Sequence, residues 1–423
     1  MTPSHIIATK AMSKLIPALL VATVVVVGAK QQNNSAVLPA PLSGPVTTLA
    51  SPAPDGAMYP NLVTDRTGRV WMSWLETRTG GGHRFRLASL TDSTWSTPIT
   101  VAEGTDFIAN WADFPSVFVT GNGTLAAHWL VAGAARGSYG VRVRTSRDSG
   151  ATWTPAATPH RDDSAAEHGF VSFFDTPDGS LGLAWLDGRE QAGGHAAAGH
   201  GGGNMTLRAT TVRNGVPGEE MQVDARVCDC CQTSAARTST GVVLAYRDRS
   251  EKEIRDISVV RFANGKWSAP VTVGADQWEI NGCPVNGPAI AAQGNAVAVA
   301  WYTQVATKPK TEIAFSTDGG ATFGTATRID TAETYGRVHV AMIDADRALV
   351  SSLERNAGSV QIVAREVARD GRLSPSVPLG PATIERSGGF ARMVISKRRV
   401  IAAWTETRAG AAPRLRVISA PLR

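Results

Sequence analysis

The sequence predicts an all-β protein, a β-propeller of four-stranded antiparallel blades, and three observations lead to that prediction. A short apolar hairpin recurs seven times along the 423 residues, with copies 51 to 61 residues apart. Further strand-like stretches follow each hairpin, and the 42 glycines and 23 prolines suit a chain with many turns. A repeat of this length built from strands and turns is the signature of a propeller. Seven blades are favoured, and six blades are the alternative.

The seven hairpins align at one position near the end of the second strand. This position holds, in chain order, Trp74, Trp129, Trp185, Tyr246, Trp301, Ser352 and Trp404. The first repeat shows the strand order from the inner to the outer edge: Tyr59–Thr64, Arg69–Leu75, His83–Leu90 and Trp95–Ala102. The seventh repeat has only three strands before the chain stops. We therefore expect Pro45–Ala50 to supply its fourth strand and close the ring, which would leave no long open sheet edge.

The N-terminal segment has the features of a secretory signal. Lys10 and Lys14 precede the apolar run Leu15–Ala29, which ends in small residues. The run is short for a membrane span, which needs about 20 apolar residues, although an uncleaved anchor is the alternative. We predict a signal peptide over residues 1–29, a linker and closing strand over 30–50, and a propeller over 51–423. The expected location is periplasmic or secreted, with no membrane span after cleavage.

The charge pattern excludes one class of partner. The formal charge is +6, and its lysines and arginines are scattered through the repeats without a basic block. Nucleic-acid binding therefore finds no support in the sequence.

Two turns between third and fourth strands share a motif, Ser146-Arg-Asp148-Ser-Gly150-Ala-Thr-Trp153 and Ser316-Thr-Asp318-Gly-Gly320-Ala-Thr-Phe323. In such a turn the aspartate accepts backbone N–H bonds, the glycine takes a positive φ and the aromatic ring packs beneath. The turns resemble the Asp-boxes of the sialidase and BNR-repeat superfamily, and the resemblance covers most of residues 50–423. Asp-boxes are structural turns, so we expect Asp148, Gly150, Trp153, Asp318, Gly320 and Phe323 to serve folding.

The resemblance implies a candidate glycosidase site. Sialidases of this superfamily use a tyrosine nucleophile backed by a glutamate, an aspartate acid/base and three arginines on the sugar carboxylate. The matching candidates here are Tyr335, Arg337, Arg247, Arg249, Asp248 and Asp113. Two departures count against sialidase activity. Met58-Tyr59-Pro60-Asn61 stands where an Arg-Ile-Pro-like motif normally opens the first inner strand, and family enzymes have six blades.

Strand alternation places the loops that enter first strands on the same face as the loops that leave second strands, opposite the two Asp-containing turns. The entry loops contain Asp113, the cysteines and Tyr335, and the exit loops contain repeated acid–arginine pairs such as Glu76/Arg78 and Asp187/Arg189. These pairs suggest either a funnel that clamps an anion or ion pairs that hold neighbouring blades together.

The four cysteines lie in two consecutive entry loops, Cys228, Cys230 and Cys231 in one and Cys283 in the next. In an exported protein disulfides are the default, and a vicinal Cys230–Cys231 bridge would be strained, which favours one thiol of the cluster bonding Cys283. The rival hypothesis is a copper or zinc site that adds His195 and His200 from a long exit loop. The other histidines, including His160, show no partner in the sequence.

The sequence therefore predicts a propeller that recognises a glycan or other anionic ligand on the entry-loop face, with exo-α-sialidase-like hydrolysis if it is catalytic. A periplasmic metal-binding or assembly-factor propeller is the alternative, and a disc that only binds a protein partner is a third class.

Overall fold

The computed structural model describes residues 37–176, 178–191 and 203–423, and these residues form thirty β-strands and no helix. The strands make seven antiparallel sheets, each built mainly from chain neighbours. The predicted seven-bladed β-propeller is therefore confirmed.

The strand bounds follow the repeats. β1 (Thr47–Leu49) comes first. Blade 1 contains β2 (Met58–Thr64), β3 (Val70–Thr77), β4 (His83–Thr91), β5 (Thr94–Trp95) and β6 (Ile99–Gly104). Blade 2 contains β7 (Ser116–Val119), β8 (Leu125–Ala132) and β9 (Tyr139–Ser146). Blade 3 contains β10 (His168–Asp175), β11 (Leu181–Asp187), β12 (Thr206–Arg213), β13 (Val216–Pro217) and β14 (Met221–Asp224).

Blade 4 contains β15 (Ser234–Arg237), β16 (Val242–Arg247), β17 (Ile257–Ala263), β18 (Lys266–Trp267) and β19 (Val271–Gly274). Blade 5 contains β20 (Ala289–Gln293), β21 (Ala296–Val305), β22 (Lys308–Ser316) and β23 (Thr327–Arg328). Blade 6 contains β24 (Glu333–Met342), β25 (Arg347–Asn356), β26 (Ser359–Ala368) and β27 (Val377–Pro381). Blade 7 contains β28 (Arg392–Ser396), β29 (Arg399–Glu406) and β30 (Arg414–Pro421).

The blades with five strand segments are four-stranded blades whose outer strand is interrupted. In blade 1 both β5 and β6 pair with β4, and blades 3 and 4 repeat this arrangement. In blade 2 the outer position is reduced to a single bridge between Val143 and Ala157.

The ring is closed by strand pairing between the two ends of the described chain. β1 pairs antiparallel with β30, with Thr47 opposite Ser419 and Leu49 opposite Val417. The Thr47 hydroxyl also donates a 2.9 Å hydrogen bond to the Ser419 carbonyl. The seventh blade therefore takes its outer strand from the start of the chain.

The core lies between neighbouring blades, where the aligned second-strand residues are buried. Trp74, Trp185, Trp301 and Trp404 are completely inaccessible to solvent. The indole N–H of Trp74 donates to Glu76 and that of Trp185 to Asp187, at 2.8 and 2.7 Å. The carboxylate two residues after the tryptophan thus satisfies a donor that burial would otherwise leave unpaired.

The two Asp-containing turns have the same hydrogen-bond pattern. Asp148 Oδ1 accepts from the Ser146 hydroxyl and the Thr152 N–H at 2.8 and 2.9 Å, and Asp318 repeats both bonds with Ser316 and Thr322. Gly150 and Gly320 have positive φ, at 89° and 83°. Bonds from the Thr152 hydroxyl and N–H lower the pKa of Asp148 to about 2. Both aspartates accept hydrogen bonds from within their own turns, as expected of residues that stabilise the turn.

Candidate functional site

The start of each first strand lies beside the end of the second strand, so the entry and exit loops share one face. His168 opens β10 opposite Asp187 at the end of β11, and Glu333 opens β24 opposite Arg355 of β25. The two Asp-containing turns lie at the other end of the strands. The entry-loop face is therefore where the candidate residues must be compared.

The acid–arginine pairs of the exit loops are internal to single blades. Glu76 lies 3.6 Å from Arg86 on the adjacent strand of blade 1, and Glu406 accepts from Arg414 and Arg416 of blade 7 at 2.7 and 2.9 Å. These ion pairs therefore do not join neighbouring blades, which was one of the two interpretations of the sequence. They neutralise one another within a blade, so this outer ring of the face offers little free charge.

Arg247 and Arg249 are both buried and fully engaged. Arg247 donates to the backbone carbonyls of Asn286, Tyr302 and Arg255, and its guanidinium lies 5.0 Å from the centre of the Trp278 ring. Arg249 pairs with Glu253 at 2.8 Å and with Asp229 at 3.2 Å.

Asp248 accepts from the Ser258 hydroxyl at 2.9 Å, and burial together with the Asp224 carboxylate raises its pKa. The structure therefore keeps these three predicted residues close together but ties all of them to protein partners.

Arg337 connects β24 to the loop that enters blade 7. Its guanidinium donates to the backbone carbonyls of Ile384 and Glu385, both at 3.0 Å, and to that of Gly388. It also lies 4.8 Å from the centre of the Phe390 ring. Burial lowers the pKa of Arg337 to about 10. Arg337 positions this loop, and among the described residues its charge has no carboxylate partner.

Arg392 lies in the central channel beneath that loop. Its guanidinium stacks on Phe114, 4.8 Å from the ring centre, and its Nε atom is buried without a hydrogen-bond partner in the described chain. Burial lowers the pKa of Arg392 to about 10. His339 lines the same cavity of about 180 Å³, and its Nδ1 atom is likewise unpartnered there. Within the described ranges, Arg392 is thus a cation of the channel with no anionic neighbour.

The mouth of the channel combines aromatic rings with a further arginine. Trp111 and Phe390 are in contact, with ring centres 5.9 Å apart, and Phe390 also meets Phe114 edge-on. The exposed Arg386 lies 5.7 Å from the centre of the Trp111 ring, and no ion pair involves it among the described residues. Sequence reasoning missed Trp111, Phe390, Arg386 and Arg392, because they lie in irregular loops or at a strand end.

Tyr335 is part of a hydrogen-bonded trio at the start of β24. Its hydroxyl donates to Glu333 at 2.7 Å and accepts from Arg355 Nε at 2.9 Å. Arg355 also pairs with Glu333 at 3.2 Å. The sequence analysis identified Tyr335 but missed Glu333. The position of Glu333 two residues before Tyr335, ahead of a bulge in β24, could have indicated that the two side chains meet.

Asp113 lies beside the mouth but faces blade 3. Its Oδ2 atom has no hydrogen-bond partner among the described residues. The atom packs closely against Gly169, where any larger residue would clash because its Cβ would lie only 1.9 Å from Oδ2. Burial raises the pKa of Asp113 to about 7, and the nearby Glu167 carboxylate adds to the rise while a bond from the Phe170 N–H opposes it. The neighbouring Tyr139 also has a raised pKa because it is buried beside Asp113 and Glu167.

The cysteines divide into one disulfide and two thiols. Cys230 bonds Cys283, so the cluster thiol that reaches the next loop is Cys230, and there is no vicinal bridge. Cys228 and Cys231 are free and buried, with their sulfur atoms 2.9 Å apart.

Burial alone would raise the pKa of Cys228, but the Cys231 hydrogen bond and the Arg255 guanidinium lower it to about 6. Burial raises the pKa of Cys231.

A histidine cluster that the sequence did not reveal lies on the same face. The rings of His160 and His168 stack in parallel 3.9 Å apart, and Asp162 lies 3.0 Å from His168 and 3.4 Å from His160. Arg189 pairs with Asp162 at 3.0 Å.

Asp162 is thus shared by His168 and Arg189, whereas both ring nitrogens of His160 are buried without a hydrogen-bond partner among the described residues. His195 and His200, predicted as metal ligands, lie outside the described residues.

The fold has relatives among solved structures. The polysaccharide lyase Uly1 matches with a TM-score of 0.52 and 11% identity, over 88% of this chain and 91% of that chain. An α-L-arabinofuranosidase from Fusarium graminearum matches with a TM-score of 0.50 and 12% identity, over 86% and 93%. A sialidase from Streptococcus pneumoniae matches with a TM-score of 0.46 and 14% identity, over 90% and 71%. The likenesses to the lyase and to the arabinofuranosidase establish the propeller fold alone.

No protein-family profile matches the sequence, and no curated protein does. In the part of the chain that the structure describes, no helix of the length and apolarity needed to span a membrane is found.

We expect Asp113→Asn to remove a pH-dependent loss of stability. The folded pKa of about 7 exceeds that of an unfolded aspartate, so stability that is present below about pH 4 is lost as the pH rises through 7. The free energy of unfolding of the variant, measured relative to that of wild type, should rise by on the order of 3 kcal/mol between pH 5 and pH 8. Urea unfolding at both pH values measures this difference. The exposed Asp55→Asn is the control, and parallel pH profiles for wild type and Asp113→Asn would contradict the account.

Proposed function

We propose that the protein is an exported carbohydrate-active propeller that binds an anionic glycan over the mouth of its central channel. The observation that carries the proposal is the distribution of charge. Several arginines of the exit loops and third strands, such as Arg86 and Arg414, pair with carboxylates inside their blades. Arg386 and Arg392 near the axis contact only aromatic rings among the described residues.

The mouth has the two kinds of group that an acidic sugar requires. Carboxylates bind guanidinium groups through short, charge-assisted hydrogen bonds, and the apolar face of a sugar ring packs on aromatic side chains. Trp111 and Phe390 supply the rings, while Arg386 and Arg392 supply the cations. A bound carboxylate would also offset the cost of holding the half-buried Arg392 without a counter-charge.

Three further features support the proposal. Solved propellers with this fold include a polysaccharide lyase and an arabinofuranosidase, both named for action on glycans. The two Asp-containing turns have the hydrogen bonds that Asp-boxes would need. The predicted signal segment, residues 1–29, would export the chain to the periplasm or beyond, where polymeric glycans are met.

Binding to a panel of oligosaccharides tests the proposal. We expect wild type to bind carboxylated glycans, with sialyllactose and a glucuronate oligomer as probes, more tightly than neutral lactose in calorimetry. Arg386→Gln and Arg392→Gln should each weaken that binding by about tenfold or more, because a charge-assisted bond contributes about 1.5–3 kcal/mol. Arg147→Gln removes an exposed arginine on the opposite face and should leave binding unchanged. Preference for lactose, or unchanged binding in both variants, would refute the proposal.

A second candidate, retaining hydrolysis of the bound glycan, is favoured by the Tyr335 trio. A tyrosine nucleophile needs a carboxylate to accept its proton and a cation to steady the phenolate, and Glu333 and Arg355 are at hydrogen-bond distance. Arg337, two residues after Tyr335, donates to the loop that carries Arg386, and this link supports a trio close to the mouth. In this reaction Glu333 would accept the phenol proton while the Tyr335 oxygen attacks the anomeric carbon and the glycosidic bond breaks, and the leaving oxygen would take a proton from solvent. Water would then cleave the bond between Tyr335 and the sugar, and the phenol would regain its proton.

If the trio is catalytic, wild type should release the fluorophore from an aryl sialoside or aryl uronide, and Tyr335→Phe should abolish turnover. Glu333→Gln should lower kcat by at least 100-fold, since general bases contribute 10²–10⁴-fold. Tyr302→Phe removes a hydroxyl bonded to Gln304 and is the matched control. Turnover that survives Tyr335→Phe, or its absence in a wild type that binds the probe, would eliminate hydrolysis by this trio without affecting the binding proposal.

A further inference from the structure

The loop that enters blade 4 contains two free thiols buried side by side. Cys228 and Cys231 are 1% and 2% exposed, and their sulfur atoms are 2.9 Å apart. The Cys228 N–H donates to the Arg247 carbonyl, which fixes the loop against the end of β16. Neither thiol belongs to the glycan site proposed above. Free cysteine often packs as a small apolar side chain, but two sulfur atoms held this close together can also act as a pair of metal ligands.

The other two cysteines are already committed to each other. Cys230 and Cys283 form the disulfide that joins the two entry loops, yet the Cys230 sulfur lies within 4.8 Å of both free sulfur atoms. In the described chain no histidine or carboxylate joins this sulfur group. Among the described residues, the site therefore offers two thiols as donors and no third ligand of another kind.

The surroundings of the two sulfur atoms favour a negative charge on them, either as thiolates or as an anionic metal complex. Arg255 is completely buried, and its Nη1 atom lies 3.4 Å from the Cys228 sulfur. Its Nη2 atom is held by Glu253 at 2.8 Å, so the guanidinium is fixed in place. Guanidinium N–H groups that point at a thiolate stabilise it and the anionic complexes that it forms.

We propose that Cys228 and Cys231 bind one copper(I) ion as a two-thiolate site. Soft thiolates select copper(I), and a two-ligand site suits that ion, whereas zinc requires four ligands and magnesium or calcium requires oxygen. The reaction is a ligand exchange. The ion forms two Cu–S bonds, the thiol protons leave to solvent, and neither sulfur nor copper changes oxidation state.

The product is a complex with one negative charge, which Arg255 faces. Binding requires the two sulfur atoms to separate to roughly 4 Å, since metal–sulfur bonds are about 2.3 Å long.

Copper(I) titration of the full mature chain under anaerobic conditions, with bicinchoninate as competitor, tests the proposal. Wild type should take up one ion per chain, and Cys228→Ser and Cys231→Ser should each lower the affinity by at least 100-fold while the circular-dichroism melt shows that they are folded. X-ray absorption should show sulfur atoms alone around copper. The matched control, Cys230→Ser/Cys283→Ser, should still bind one ion.

If that control fails to fold, mass spectrometry of copper-loaded wild type should show the Cys230–Cys283 disulfide intact. Four results would overturn the proposal. They are a Cys228–Cys231 disulfide in the protein as purified, copper uptake unchanged in both serine variants, nitrogen in the copper shell, and a preference for zinc. None of these results bears on glycan binding.

Discussion

Pairing of β1 with β30 closes the ring, and the rest of the structure depends on that closure. The Thr47–Ser419 contact joins residues 372 apart in the sequence. It gives blade 7 an outer strand, so that β30 is paired on both sides. Closure also arranges the seven first strands around one axis, so that loops far apart in sequence surround a single channel. Arg392 of blade 7 and Phe114 of blade 2 meet there for this reason.

On the entry-loop face, charged residues that stabilise the blades lie apart from those that we propose bind the ligand. In the exit loops and third strands a buried or half-buried carboxylate accepts from arginines of its own blade, as Glu406 does, and such pairs hold strands in place. At the axis the cations face aromatic rings and carbonyl groups instead. Taking a charge partly out of water without an opposite charge is costly, so the half-buried, unpaired Arg392 is where we expect the anion to bind.

The regular part of the fold could be predicted from the sequence, because hydrophobic alternation and turn residues are local signals. The seven hairpins predict seven blades, and the position of Cys283 in the next entry loop predicts a bond to the CDCC cluster. The site was harder to predict. Arg337 is taken up by carbonyls of residues 384–388, and Glu333 reaches Tyr335 across a bulged strand start. His160 stacks on His168. These contacts depend on loop conformations that carry no periodic pattern.

A crystal structure of the protein with a carboxylated oligosaccharide would show directly whether the glycan binds at the channel mouth. We expect a sugar carboxylate within hydrogen-bond distance of Arg386 or Arg392, and a sugar ring against Trp111 or Phe390. A glycan bound at the rim or on the face of the Asp-containing turns, with the channel mouth empty, would contradict this expectation.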